Sequence, residues 1–255
     1  MIMTINMRPA AKTPERIARA LRARIMEGAM APDDALPGEK ELMAEFGASR
    51  GSVREALKSL EFQGMICSVP GPRGGVRVRA IEEERVFDYM RSFFHFQALE
   101  AEQIYAVRKL VEPALAESVV GHLSDSHFAR LQASIAVLDD HDIHAWAAQR
   151  AAEIEFHEIL AEACPNPLLA MMARFVNEVI RSAVAGTAPS PTHAPDERAF
   201  VHANCTAHAA IVAALRKGDR AKVKRLMLAH IEQAEQFIVP LHARTLARRP
   251  APKSS

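Results

Sequence analysis

Aromatic residues are scarce in this sequence: Phe, Tyr and Trp make up 5% of 255 residues, with two Tyr and a single Trp. Sandwiches and barrels draw on β-branched and aromatic strands, so this shortage, beside recurrent Ala and Leu, argues for packed helices. Cysteine is scarcer still. Cys67, Cys164 and Cys205 are odd in number, far apart and without a Cys-x-x-Cys spacing, which argues against a disulfide framework or a thiolate zinc site and fits a reducing, cytoplasmic setting. Long apolar runs are missing too. No stretch of eighteen apolar residues occurs, and Met1 to Pro9 has neither an apolar core nor a small-residue cleavage site, so neither a membrane span nor secretion is expected. What is present, 49% hydrophobic and 25% charged, is the balance of a folded chain with room for one large or two ordinary domains.

The net charge is only +1, yet it conceals a division. Residues 1–79 carry 13 Lys and Arg against 9 Asp and Glu, a net +4, while the remainder carries 19 against 22, a net −3. All eleven histidines, from His95 onward, follow the cut. A modestly basic segment therefore precedes a section of different chemistry.

Within the basic segment, Ile17, Leu21 and Ile25 recur every four residues between Pro14 and Gly28, the pattern of an amphipathic helix with an early Pro and a terminal Gly. A turn-rich stretch, Ala31 to Pro37, leads to a second helix over Glu39 to Phe46, closed by Gly47. Ser49 suits the N-cap of a third helix. There Val53, Leu57 and Leu60 face inward and Arg50, Arg54 and Lys58 line the opposite face. Met65 to Val69 and Val76 to Arg79 then read as strands around a Gly- and Pro-rich turn.

Two short helices joined by a brief turn, the second with an outward basic row, and a hairpin after them form a winged helix-turn-helix layout. A helix fits the major groove of B-DNA, and arginine can donate two bonds to guanine. By itself such a row is more often a solvated helix face; the turn before it and the hairpin after it, with Arg73 at the tip, favour DNA.

The run LPGEKELMAEFGASRGSVREALKSLEFQGMI followed by PGPRGG resembles the DNA-binding domain of GntR-family bacterial transcriptional regulators. The resemblance implies DNA contacts at Lys40, Ser49, Arg50, Ser52 and Arg54, with a wing at Gly71, Arg73 and Gly74. Lys40 stands where the family commonly has arginine; it keeps the charge without the planar fork, so a phosphate contact is expected there. Gly51 replaces a side chain that is often threonine in relatives.

From Glu82 onward the strand pattern disappears. Helical blocks are expected between breaks at Gly121 to Ser126, Pro165 to Pro167, Gly186 to Pro195 and Gly218-Asp219, as in an antiparallel helical bundle. Glu153 and His157 lie four apart on one predicted helix, while His208 and His230 lie on or beside apolar faces of two others. Three imidazoles and a carboxylate could bind a borderline divalent ion, although a lone histidine of this kind is more often a satisfied core residue. Periodicity does not choose among eleven histidines.

The segments RKLVEP, EIEFHEILAEACPNPLL, HAAIVAALRKGD and MLAHI resemble, in order, the helical FCD domain of the FadR subfamily. The resemblance implies metal ligands at Glu153, His157, His208 and His230 for a divalent ion such as Zn, Ni or Mn. Glu153 is one methylene longer than the usual first ligand. Arg108 and Arg181 are candidate cations for an anionic effector, with surface pairing an equal alternative for Arg181; His202, six residues before His208, is either a decoy or a further cavity residue.

The expected fold is mostly α. It divides into a flexible start at 1–12, a winged helix-turn-helix at 13–80, an all-α effector domain at 81–245 and a disordered tail at 246–255. The expected function is that of a homodimeric, non-enzymatic regulator, probing double-stranded operator DNA and releasing it on binding a small organic acid. Two alternatives stay open here: a metal-dependent enzyme such as a hydrolase, and a metal-free regulator of acyl thioesters.

Overall fold

The structure, a computed structural model, describes residues 13–28, 30–71, 74–95, 97, 99–138, 146–184 and 194–247. Residues 1–12, 186–193 and 248–255, where a flexible start, most of a loop and a tail are expected, lie outside the described residues, as does Arg73. The chain separates into two units, 1–90 and 91–255.

In the first unit, α1 (Thr13–Glu27) buries Ile17, Ala18, Leu21 and Ile25. α2 (Glu39–Phe46) stops at Gly47, whose left-handed backbone (φ 57°) turns its N–H back onto Met43 O; only glycine takes that conformation without strain. α3 (Arg50–Phe62) starts at Ser49, whose hydroxyl accepts from the Ser52 N–H at 3.2 Å, and buries Val53, Ala56, Leu57 and Leu60. β1 (Ile66–Val69) and β2 (Gly75–Val78) pair antiparallel, with Ile66 opposite Val78 and Val69 opposite Gly75. Met65, Ile66 and Val78 close the core formed by the three helices.

The segment before α2 does more than turn. Leu36 N–H donates to Val76 O and Val78 N–H donates to Asp34 O, each at 2.9 Å, so this stretch lies along the free edge of β2. Such a short pairing has no alternation from which to read it. α4 (Glu83–His95) follows, and the division between units falls within it. Arg85 at its start donates to Phe62 O at the end of α3, which holds the first turns of α4 to the first unit, beyond the point at which the charge pattern changes.

The second unit is helical among its described residues: α5 (Ala101–Ser118), α6 (Asp125–Leu138), α7 (Trp146–Glu162), α8 (Pro167–Val184), α9 (Ala194–Arg216) and α10 (Arg220–Ala247). α5 packs on α8 and α10, α7 on α6 and α8, and α9 on α6 and α10. Their shared core includes Leu115, Phe156, Ile159, Leu160, Ile211, Met227 and Ile231. Asp219 caps α10 by accepting from the Lys222 N–H at 3.0 Å, in keeping with the Gly-Asp stop and restart. α10 passes through Pro240 and runs to Ala247, two residues into the segment 246–255 where a disordered tail is expected.

Candidate metal centre and nucleic-acid face

Helices α5, α7, α9 and α10 build one buried polar cluster in the second unit. α7 supplies Glu153 and His157, four residues apart on one face, while the same helix buries Phe156, Ile159 and Leu160 in the core. α9 brings His208 in beside Ile211 and Val212; α10 brings His230 in beside Met227 and Ile231. The apolar neighbours drive each helix face inward and carry the imidazoles with them. His157, His208 and His230 are at most 1% exposed.

Ligand atoms from these four residues all lie within 4.8 Å of one another. His230 Nε2 is 3.2 Å from His208 Nε2 and 3.3 Å from His157 Nε2. Glu153 Oε1 lies 3.3 Å from His230 Nε2 and 3.5 Å from His157 Nε2, and Oε2 lies 3.5 Å from His208 Nε2. The His208 ring stacks on Phe156 with centroids 3.6 Å apart, which fixes its plane.

The donor set fits a divalent cation. Atoms bound to one ion at about 2.0–2.1 Å sit roughly 3.0–3.4 Å from one another, close to the separations among these nitrogens. Burial pushes His208 well down and His230 down as well, which favours the neutral imidazole that binds metal. Burial raises the Glu153 carboxyl, but its contacts with His208 and His230, and hydrogen bonding from His157 and His230, hold it well below the usual carboxylate range. The Nδ1 atoms of His208 and His230 are buried without a hydrogen-bond partner.

Glu112 on α5, which the spacing of ligand types does not single out, joins the cluster. Its Oε2 lies against His157 Nδ1 and its Oε1 accepts from Arg108 Nε. Burial raises this carboxyl, but Arg108 first and His157 second bring it down to about 2. A carboxylate behind a ligand imidazole orients the ring and selects its tautomer. Burial opposes a charge on His157, while Glu112 pulls it upward on balance. The contact between Arg108 Nη2 and His157 Nε2 at 3.1 Å favours a neutral ring protonated on Nδ1, because a guanidinium only donates and needs the Nε2 lone pair. The signal for Glu112 was its place four residues after Arg108, where a helix pairs opposite charges.

Beside the cluster a small cavity is lined by Tyr105, Arg108, Arg150, Glu153, Asn177 and Phe200, among others. Asn177 Nδ2 is buried there without a partner. Arg108 is thus inside the second unit and next to the candidate metal ligands. Arg181 and His202 are not brought to this place. Arg181, one residue beyond the cavity-lining Ile180 and about 100° further round the helix, is half exposed, donates to Glu158 and lies 3.6 Å from Glu178. His202 is exposed on α9; six residues before His208 puts it roughly 120° away around the helix.

On the first unit, Lys40, Ser49, Arg50 and Arg54 are exposed and Ser52 is half-buried. Ser52 Oγ is 3.1 Å from Ser49 Oγ, so both hydroxyls sit at the N-terminus of α3. Arg54 Nε lies 3.6 Å from Glu39 Oε1. Gly71 and Gly74 flank the wing turn, Gly74 N–H donating to Gly71 O at 2.9 Å.

Comparisons with known proteins agree with both halves. The model for bacterial regulatory proteins of the gntR family matches residues 13–78, and the FCD domain model matches residues 103–233. The chain is 31% identical over 174 residues, 64% of its length and 72% of the other protein's, to the uncharacterized HTH-type transcriptional regulator YieP of Escherichia coli (strain K12). It is 28% identical over 245 residues, 89% of its length and 86% of the other's, to the HTH-type transcriptional repressor NanR of Salmonella newport (strain SL254). In fold it is similar to a Streptococcus agalactiae GntR, with a TM-score of 0.57 at 20% identity over 88% of this chain and 99% of that one. No helix among the described residues is long and apolar enough to cross a membrane. A reading head of helices and hairpin, followed by a helical domain matched over half of the chain, makes this protein a member of the GntR family of bacterial transcriptional regulators, with an FCD domain as its effector-binding half.

Proposed function

We propose that this chain is a metal-containing repressor of the FadR subfamily, acting in the cytoplasm as a homodimer on a short palindromic operator and released by a small carboxylate. Residues 13–80 would read the DNA and residues 81–245 would hold the metal and the acid. One recognition helix spans few base pairs, so two symmetric copies supply the specificity that one lacks. The repressor sense draws on the relative named as a repressor.

The convergence of Glu153, His157, His208 and His230 beside a cavity lined by Arg108 carries the reading. Three imidazoles and one carboxylate leave positions on a borderline ion such as Zn, Ni or Mn, and an anion that reached Glu153 and Arg108 would meet both that ion and a guanidinium. A bound ion would supply charge and open coordination positions for the acid; the protein's own residues orient and discriminate it. The acid regulates only through its difference in affinity for DNA-competent and DNA-incompetent arrangements. A hydrolase would need a general base, and Glu112 is already engaged by Arg108 and His157.

Protein purified without a chelator or a histidine tag is expected to hold about one divalent ion per chain, lost in the double variant His208→Ala plus His230→Ala. Thermal unfolding with a set of carboxylic acids, with and without metal, then identifies the effector class, since a ligand of the folded state raises its stability. Absence of stoichiometric metal after adding zinc, nickel and manganese in turn would remove the site.

A further inference from the structure

The outward face of α3 carries one carboxylate that the DNA reading leaves unused. Val53, Ala56, Leu57 and Leu60 fix the inward direction, and at about 100° per residue the line opposite them runs through Gly51, Glu55 and Lys58. Arg50 and Arg54 flank that line on one side and Ser52 on the other. Glu55 is exposed there, at the centre of the face that would meet DNA. It is also alone. Glu39 lies 3.6 Å from Arg54, Glu41 accepts from the Gly38 N–H, Glu45 accepts from Arg24 and Glu61 accepts from the Ser68 N–H. Of the carboxylates on α2 and α3, only Glu55 has no hydrogen bond or ion pair among the described residues.

An unpaired carboxylate facing a polyanion costs affinity unless it gains a donor. The major groove offers two, the amino groups at cytosine N4 and adenine N6. Adenine sets its N7 acceptor beside N6, which repels a carboxylate; cytosine has no acceptor on that edge. Gly51, one turn before Glu55, clears the way. Its backbone is not left-handed, and a Cβ there would meet nothing nearer than Ser49 Oγ at 3.8 Å. Neither conformation nor packing therefore calls for glycine, which weakens a helix relative to alanine. Without a side chain at this position, the first turn of α3 can lie close to the base edges and carry Glu55 to them. We infer that Glu55 is a specificity-determining residue that accepts a hydrogen bond from a cytosine N4 amino group in each half-site, with Gly51 supplying the clearance. The inference rests on α3 as the recognition helix and adds a base preference that its cationic row does not encode. Glu55 also excludes: guanine and thymine in the same place set acceptors against the carboxylate.

The test uses the full chain to select duplexes from a pool of DNA with a randomised centre, and repeats the selection with Glu55→Ala, Glu55→Gln, Arg54→Ala and Gly51→Thr. Affinities for the selected duplex, and for duplexes changed one base pair at a time, are then measured at fixed salt. The duplex chosen by the unaltered chain is expected to hold a cytosine in each half-site whose replacement weakens binding by about 5- to 150-fold. Glu55→Ala should make that position indifferent to the base while the preferences elsewhere persist. Glu55→Gln, whose amide both donates and accepts, should admit adenine there. Gly51→Thr should lower the discrimination for cytosine without lowering the thermal unfolding midpoint. Circular dichroism verifies folding, which an exposed, unpaired Glu55 is not expected to influence.

If Glu55→Ala keeps the parent's preference at every position while Arg54→Ala alters it, the cytosine contact is overturned and the recognition helix stands. Uniform weakening of Glu55→Ala on every duplex, or relaxation at a base other than cytosine, would overturn the contact too. Undiminished discrimination in Gly51→Thr would overturn the clearance. If neither Arg54→Ala nor Glu55→Ala changes the selected sequence, α3 does not read DNA, and the inference falls together with the reading beneath it.

Discussion

Lys40 and Arg54 carry one positive charge each, but they present it differently. Lysine offers a compact, strongly hydrated ammonium, suited to a phosphate oxygen; arginine offers a planar fork that matches the O6 and N7 edge of guanine. Both are exposed on the first unit, and the neighbouring Glu39 is too solvated to bind Arg54 firmly. Lys40→Ala is expected to weaken binding to all operator sequences alike and to lower the salt dependence by about 1 per protomer. Arg54→Ala should cost about 1–3 kcal/mol and relax the preference at one base pair of each half-site. Fluorescence anisotropy across a salt series and a panel of operator variants separates the two, and equal behaviour of both variants would reject the assignment. At this scale the residue types of the site were legible, and Glu112 only as a charge partner for Arg108 four residues earlier. Its ordinary place in RKLVEP gains meaning only because α5 packs where α7 presents His157.

Among the elements, the three helices and hairpin of the first unit follow from local rules: apolar spacing in α1, the glycine stop of α2 and the serine cap of α3. The wing turn shows how tightly such rules can bind. A Cβ on Gly74 would lie 2.1 Å from Val69 O and 2.8 Å from Pro70 C, both backbone atoms that cannot swing aside. Gly74→Ala is therefore expected to open the turn between β1 and β2, destabilising the protein by roughly 1–3 kcal/mol and weakening operator binding. Denaturant unfolding and operator titration measure the two effects, and an alanine variant as stable as the parent would show that the turn has room. By contrast, the pairing of Asp34 and Leu36 with β2 lay beyond sequence reasoning, because so short a stretch has no period and its partner is distant in the chain.

For the whole molecule, the two units carry separate tasks in one chain: a family-matched reading head and a family-matched helical domain. A homodimer would place two heads on half-sites roughly 34–36 Å apart, one helical turn of DNA. With metal bound, the effector acid is expected to weaken operator affinity by about 5- to 150-fold, and removal of metal by a chelator should abolish this response. Operator titrations with and without acid, before and after chelation, provide the check. Tighter binding in the presence of acid would reverse the proposed sense of regulation, and an undiminished response after chelation would separate acid sensing from the metal.

The amino-acid sequence by itself determined the order of elements, the split between a basic head and a histidine-bearing bundle, and the chemistry available at Glu153, His157, His208 and His230. Helical period sets which side of each helix turns inward, and that information is local. Tertiary structure alone decided that the four converge, that Glu112 stands behind His157 at Nδ1 with Arg108 at its Nε2, and that Arg181 and His202 lie elsewhere. The reason is separation along the chain: Arg108 and His157 are 49 residues apart and His157 and His230 are 73. Which inward faces meet across such distances depends on how whole helices pack against one another, a property of the assembled core rather than of any one segment.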